Sequence, residues 1–389
     1  MDKTSDVDIG IVGGGPTGLT AALLLEMGGY KVALVAPKAA DDGRSVALLQ
    51  SSLEIFDTIG CRAEIEAAGA ALAIMRLVDD TGHLLRGPEL AFKASEIGYD
   101  SFGYSIATAA LTAILENQAA KTGSLRRIAS DVEAVQPGVD SVTLITRTAG
   151  RVTCRLAVGA DGKRSLCREA SGVEFKTWSY PQEALVTTVS HERPHDNIST
   201  EFHTRAGPFT LVPVSDEQCG LVWVDRPEVI ATWKEAEPAI LCREIERRSH
   251  AILGRITDCV PPRTFPMSGG YAPDPAANRV ALVGEAAHYF PPIGAQGLNL
   301  GLRDCAALAR SLGKRRTDPG EREALQRYVR SRKADVTSRT YGVDMLNRSL
   351  LIDFFPVQAA RALGLTLADT IQPLRRLMMR LGMAVSPLR

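Results

Sequence analysis

The 389-residue sequence lacks any excess of charge, since 45 lysines and arginines balance 45 aspartates and glutamates. A broad electropositive field is therefore missing, which argues against nucleic acid as a partner. The chain also lacks a C-x-x-C pair, and its seven cysteines (Cys61, Cys154, Cys167, Cys219, Cys242, Cys259, Cys305) are odd in number and scattered. That spacing speaks against a disulfide framework or a zinc cluster and for reduced thiols in the cytosol. No stretch approaches the roughly 18 uninterrupted apolar residues of a spanning helix. Residues 1–8 carry three acids, one lysine and no apolar run, so a secretory signal is not expected either. Aromatic residues are few, at 5%. What remains, 45% hydrophobic and 23% charged residues, is the composition of an ordinary globular chain, and the length predicts two or three domains.

The chain opens on a buried-strand run, Val7–Val12, followed by a glycine cluster, an apolar helix Pro16–Met27 and a second strand at 31–35. This is a βαβ start. Helical periodicity follows over Gln50–Ile59 and 107–120. Three strand-like runs at 131–135, 141–147 and 152–158, separated by Pro137-Gly138 and Ala149-Gly150, read as an antiparallel meander. From 174 to 266 the pattern changes to short β-rich runs at 184–190, 200–206, 209–215 and 219–225. All three tryptophans (Trp178, Trp223, Trp233) fall there, either lining a ligand face or packing on one side of a sheet. A strand at 280–283 and a long helix from Gln296 return the chain to α/β order, and the remainder from Arg322 reads as helical.

Three motifs carry chemistry. Gly13-Gly14-Gly15-Pro16-Thr17-Gly18 satisfies G-x-G-x-x-G after a strand and at the opening of a helix. Its glycines permit a tight turn and let a pyrophosphate approach backbone N–H groups at the positive end of the helix. The end of the second strand holds Ala36, where an acid would bond a ribose; Asp41, Asp42 or a main-chain group are the substitutes. Ala36 with Lys38 and Arg44 nearby equally suits a 2′-phosphate, so this motif alone leaves NADP open beside FAD. The second motif, Gly284-Glu285-Ala286-Ala287-His288, leads through Pro291-Pro292-Ile293-Gly294-Ala295-Gln296-Gly297-Leu298-Asn299 into a helix. An acid at a strand end can bond a polyol, and a glycine-rich helix start offers N–H groups to an electron-rich ring such as a reduced flavin. The third, Gly159-Ala160-Asp161-Gly162-Lys163-Arg164-Ser165, closes the meander, where a turn would bring Asp161 beside the glycine loop. His288 has no metal-ligand partners at useful spacing, and a capping or packing role is expected of it.

In this order and at these separations, the three motifs resemble the group A flavoprotein aromatic monooxygenases with the para-hydroxybenzoate hydroxylase fold. Within that group the strings GEAAHYFPPIGAQGLNLGLRD, GADGKRS and GPFTLVP are most similar to the UbiH/UbiF ubiquinone-biosynthesis hydroxylases. The resemblance implies an α/β (α+β mixed) fold. A Rossmann-like FAD-binding domain at 1–75, 100–173 and 267–345 would carry an inserted β-sheet substrate domain at 76–99 and 174–266, with a helical C-terminal segment at 346–389. It implies that Gly13, Gly15 and Gly18 cradle the FAD pyrophosphate, that Arg44 approaches the cofactor, and that Asp161 serves FAD and nicotinamide binding. Glu285 stands where the family has Asp, bonding the ribityl or ribose. Pro292, Gly294 and Gln296 would form the catalytic loop over the isoalloxazine, continued by Gly297, Leu298 and Asn299 as cofactor contacts. The implied reaction uses FAD, NAD(P)H or a reductase as electron donor, and dioxygen, and hydroxylates a polyprenylated phenol of ubiquinone biosynthesis through a flavin hydroperoxide. Hydroxylation of another phenol, or a non-catalytic FAD-binding accessory role in the same pathway, are the alternatives.

A last feature concerns placement in the cell. Over 371–381 a helical wheel sets Ile371, Leu374, Leu377, Met378 and Leu381 on one arc, Arg376 and Arg380 opposite, and Arg375 at the margin. This basic amphipathic pattern suits either an anionic membrane surface or docking on the chain's own core or a partner subunit. A cytoplasmic protein with peripheral membrane contact, within a ubiquinone-biosynthesis complex, is the expectation.

Overall fold

The computed structural model describes residues 6–38, 43–82, 87–292, 294–314, 317–351, 366–367 and 369–383. Asp41, Asp42 and Ile293 from the sequence motifs, and the stretches 352–365 and 384–389, lie outside the described residues.

The first strand, Val7–Val12, is buried along its whole length. It pairs in parallel with Gly150–Gly159 on one side and Val32–Val35 on the other. A strand covered on both faces needs no polar alternation, which is why it reads as a continuous apolar run. The sheet runs Ala276–Ala277, Val280–Leu282, Gly150–Gly159, Val7–Val12, Val32–Val35, Arg126–Ile128. The meander is present as Val132–Pro137, Val142–Thr146 and Gly150–Gly159, in antiparallel pairing. The crossover helix Pro16–Met27 starts on Gly15 with Pro16 at its first position and no side-chain cap, so its leading N–H groups are left for something else.

The second sheet is built around two long antiparallel strands, Lys176–His191 and Arg263–Tyr271. The run expected at 184–190 is thus one part of a 16-residue strand. Gln218–Asp225, Pro208–Ser215 and Ile198–His203 extend the sheet, and Ile74–Asp79 and Leu90–Lys93 complete that edge. At the other edge His288–Tyr289 pairs with Arg263–Tyr271, which ties the Gly284-Glu285 motif directly to this sheet.

The stretch 174–266 is not purely β-rich, as expected from sequence: it also holds two helices, Pro227–Lys234 and Pro238–Arg248, each with proline in the first turn. Ile230, Leu241 and Ile245 from these helices cover Leu185, Leu221 and Trp223 on one sheet face. Trp223 and Trp233 pack there with tilted rings and centroids 5.7 Å apart, so two of the three tryptophans are packing residues. Trp178 lies apart and donates Nε1 to Tyr180 Oη at 2.6 Å.

The opposite face carries Tyr180, Ala184, Val222, Val224 and Met267 and turns toward the segment that begins at Ser45. The contact is close: a Cβ added at Gly220, on the same face as Val222, would meet Ser45 Oγ at 2.8 Å. Ser45 opens the strand Ser45–Leu49 of a small third sheet with Gly103–Ala107 and Ala70–Ala71. Helix Arg322–Leu351 runs through the boundary expected at 345/346, and the strands Ile74–Asp79 and Arg263–Tyr271 run through those at 75/76 and 266/267.

Candidate flavin site

The three motifs converge, and glycines are the points of contact. A Cβ at Gly13 (φ +117°) would collide with Ala160 O, and one at Gly18 with Gly13 O. The Gly159-Ala160-Asp161 turn therefore lies against the glycine loop, held by Ala160 N donating to Val12 O at 2.8 Å. A Cβ at Gly301 would meet Gly284 Cα at 2.9 Å and Thr17 Oγ1 at 3.3 Å, so the second motif and the helix Gln296–Leu312 close onto the crossover helix.

Three motif glycines behave differently. A Cβ at Gly15, Gly162 or Gly297 would find no atom within 4 Å, and Gly15 and Gly297 stand at helix starts. These two positions face open space above the uncapped starts of two helices, an arrangement that admits an anion and an electron-rich ring against backbone N–H groups. Glu285 is the one exposed residue between Val280 and His288, and Pro292 and Gly294 are exposed beside it in sequence.

Other expected site residues have their side chains committed within the protein. Asn299 is buried: its Oδ1 accepts from Leu49 N (2.8 Å) and Ser52 Oγ (2.6 Å), and its Nδ2 donates to Ala47 O (2.7 Å) and Ala295 O (2.6 Å). It stitches the strand Ser45–Leu49 to the helix start. Asp161 accepts from Ser165 Oγ (2.6 Å) and Cys167 N (3.1 Å), and so supports both the N-cap residue Ser165 and the first turn of the helix Leu166–Ser171. Gln296 donates Nε2 to Gly294 O (2.9 Å) and accepts at Oε1 from Arg339 (2.8 Å), closing a loop in which Ala295 is held at φ +54°. Leu298 is half-buried against the main core. Arg44 is exposed, with its guanidinium 5.9 Å from the Phe265 ring centroid on the second sheet.

His288 is buried, with Nε2 at 2.6 Å from Asp304 Oδ2 and its ring stacked on Phe290 at 5.5 Å. Asp304 also accepts from Gly284 N (3.0 Å) and Arg332 Nε (2.6 Å). Burial alone would raise the Asp304 pKa; the charges of His288 and Arg332 and their hydrogen bonds outweigh it and hold the carboxyl at about 2. The expected packing role of His288 is thus part of a buried ion-pair network fastening the Gly284 turn.

The chain matches the model of the FAD binding domain family over residues 6–340. It belongs to that family. It is 32% identical to ubiquinone hydroxylase UbiL of Rhodospirillum rubrum over 98% of this chain and 90% of that protein. It is 29% identical to 3-demethoxyubiquinol 3-hydroxylase of Escherichia coli, over 95% and 96% of the two chains. Among solved structures, p-nitrophenol 4-monooxygenase PnpA of Pseudomonas putida superposes with a TM-score of 0.80 at 18% identity, covering 98% of this chain and 99% of the other. The protein is therefore an FAD-dependent monooxygenase with the fold that its motifs implied.

FAD fits the geometry. The open position at Gly15 matches a pyrophosphate, the open position at Gly297 matches a ring above a helix start, and Glu285 offers an exposed carboxylate. The NADP reading left open by Ala36 gives way to FAD. One residue that sequence reasoning did not single out lies at that strand end: Arg127 donates to Ala36 O (2.8 Å) and Pro37 O (3.4 Å) and pairs with Glu116 (3.1 Å). A Cβ added at Gly14 would lie 3.1 Å from its Nη2. Nothing in the spacing of Arg127 announces this, because its partners come from two distant segments.

Proposed function

We propose that this FAD-dependent monooxygenase hydroxylates the aromatic ring of a polyprenylated phenol on the route to ubiquinone. The observation that carries the reading is the largely buried apolar sheet face of Ala184, Val222, Val224 and Met267, which looks onto the strand Ser45–Leu49 that Asn299 ties to the helix start at Gly297. A long hydrocarbon tail matches such a wall, and Tyr180, Gln182, Asp344 and Asn347 place a polar group at one end: Tyr180 Oη donates to Asp344 (2.6 Å) and Asn347 to Gln182 (2.9 Å). The full-length likeness to two ubiquinone-pathway hydroxylases supports the same substrate class.

Bound FAD supplies activation of dioxygen for aromatic hydroxylation, with NAD(P)H or a separate reductase as the source of electrons. The chain's own residues do the rest. Gly15 and the uncapped first turn of Pro16–Met27, with Gly18 in it, would present main-chain N–H groups to the pyrophosphate, while Gly13 shapes the turn and gives its own N–H to Val35 O (3.1 Å); Glu285 would meet the ribityl or ribose hydroxyls. Pro292, Gly294 and the first turn of Gln296–Leu312 orient the ring and stabilise negative charge on it by the helix dipole. The apolar sheet face keeps water from the reacting centre.

The C-terminal helix supports work at a membrane surface, inside a biosynthetic complex or alone. No helix among the described residues is long and apolar enough to cross a membrane. The helix Gln372–Met383 instead leaves Ile371, Leu377, Met378 and Leu381 exposed, and buries Arg375, Met379 and Met383. Four of the five residues of the expected arc therefore point away from the chain's own core, Leu374 is half-buried, and Arg375, expected at the margin, faces inward. Deletion of the gene in its source organism, with mass spectrometry of quinone precursors, tests the substrate assignment. A phenolic precursor lacking one ring hydroxyl should accumulate, and unchanged ubiquinone would remove the assignment while leaving the flavoenzyme intact.

A further inference from the structure

The C-terminal helix is fastened at two points, and one of them reaches the catalytic loop. At its start Arg375 donates Nε to Glu96 Oε2 (2.7 Å) and Nη2 to Glu96 Oε1 (3.0 Å), also bonds Ala91 O, and lies over the Phe92 ring at 4.6 Å. Met379 and Met383 seat the inner face on Ala94, Ile97 and Phe102. At its end the last carbonyls are met from another element: Arg339, on the helix Arg322–Leu351, donates Nη2 to Leu381 O (2.8 Å) and Nη1 toward Gly382 O (3.4 Å). Carbonyls of a last helical turn have no partner within the helix, and a guanidinium there is favoured by the helix dipole as well.

The same Nη1 donates to Gln296 Oε1 at 2.8 Å, and Gln296 in turn holds Gly294 O at 2.9 Å. One guanidinium thus bridges the end of the C-terminal helix and the side chain that closes the Gly294–Gln296 turn. Its position is set from behind by Asp335, 3.5 Å from Arg339 Nε, which also accepts from Arg303 (2.9 Å) and Arg332 (2.8 Å). Arg332 leads back to Asp304 and the Gly284 turn.

We infer that Arg339 is a positioning residue that couples docking of the C-terminal helix to the geometry of the Gly294–Gln296 turn, so that whatever holds or releases the helix changes how that turn is set. The inference rests on the reading that this turn faces the isoalloxazine, but the coupling itself is a property of the chain. A planar fork with fixed donors can serve both acceptors at once, which an ammonium on a flexible stem does not reproduce.

The test is hydrogen–deuterium exchange of the FAD-loaded full chain, read at amides 294–299 and 372–383, in wild type, R339Q, R375A and the double variant. Loss of one charge-assisted hydrogen bond corresponds to about 10-fold or more in a local opening equilibrium. R375A acts on the helix nearly two turns from the carbonyls that Arg339 caps, and should speed exchange by about 10-fold both in the helix and at 294–299. In the R339Q background that second effect should vanish, giving strong non-additivity. Exchange at 294–299 that ignores R375A, or two effects that simply add, would overturn the coupling. Should R339Q not fold, R339K serves: it should keep the wild-type melting temperature and still lose protection at 294–299, and full protection counts against the inference. Flavin absorbance in the same samples separates the two readings, since a chain that binds no FAD refutes the flavin assignment while the exchange cycle is still readable on the apoprotein.

Discussion

At the scale of single residues the motif glycines divide into those where protein closes on protein, such as Gly13 and Gly18, and those where a side chain would meet open space, such as Gly15 and Gly297. Gly13→Ala should cost about 1–3 kcal/mol from backbone strain alone, because φ is +117°, before the clash with Ala160 O is added. Gly15→Ala meets no protein atom, so the chain should melt as wild type while FAD affinity, followed by quenching of flavin fluorescence, falls at least about 10-fold. Equal affinity in the two proteins would remove Gly15 from the pyrophosphate site. Asp304 gives a second residue-scale expectation. Its carboxyl is held at about 2 in the folded chain against an ordinary 3.8, so it contributes about 2 kcal/mol above pH 4 that is lost as pH falls toward 2. Asp304→Asn removes the carboxylate paired with His288 and leaves Arg332 with Asp335 alone, which should cost about 3 kcal/mol at neutral pH, and the urea-unfolding profile should lose that acid limb. An unchanged midpoint at both pH values would show that the network does not hold the Gly284 turn.

At the scale of elements, what was legible depended on how local the cause was. The βαβ start was readable because Val7–Val12 and Val32–Val35, buried on both faces, write their burial into contiguous apolar runs, and the meander because its strands alternate and its turns carry Pro-Gly and Ala-Gly signals. The helices Pro227–Lys234 and Pro238–Arg248 did have a local signal, proline in the first turn and an apolar stripe, but the strands flanking them dominated the reading. The third sheet had none, since Ser45–Leu49 and Gly103–Ala107 find each other only in the folded chain. The same distinction applies to the site. The motif positions were legible, whereas the fates of the side chains were not: Asn299 is consumed by Leu49 and Ser52, some 250 residues away, and Arg375 by Glu96. Asp161 tests the distinction directly. If its role is to cap the helix Leu166–Ser171, Asp161→Ala should lower the stability of the apoprotein by about 1–2 kcal/mol in urea titration. Loss of FAD affinity at full apoprotein stability would instead place the carboxylate on the cofactor.

At the scale of the whole molecule, a net charge of zero hides an asymmetry that bears on where the enzyme meets its substrate. The C-terminal helix turns two apolar faces in opposite directions: Met379 and Met383 inward, and Ile371, Leu377, Met378 and Leu381 outward at 44–55% exposure, with Arg376 and Arg380 on the same helix away from the outward arc. A helix held inward by Arg375 and by Arg339 can offer its outer face to a bilayer without unfolding any core, which is the condition for reversible attachment. Each outward side chain that enters the acyl boundary is worth about 1 kcal/mol, because part of it is already covered, and neighbouring arginines add a salt-sensitive share on anionic lipid. The expected behaviour is therefore modest binding to vesicles containing phosphatidylglycerol, weakened by raising salt and nearly absent on neutral phosphatidylcholine. Leu377→Asp with Leu381→Asp should reduce co-sedimentation about 10-fold or more, and leave the melting temperature and flavin spectrum as in wild type, because neither side chain touches the core. If the double variant sediments with vesicles as the parent does, the outer face is not the attachment surface. If it melts earlier instead, that face is covered by protein, and a second chain is the occupant to look for.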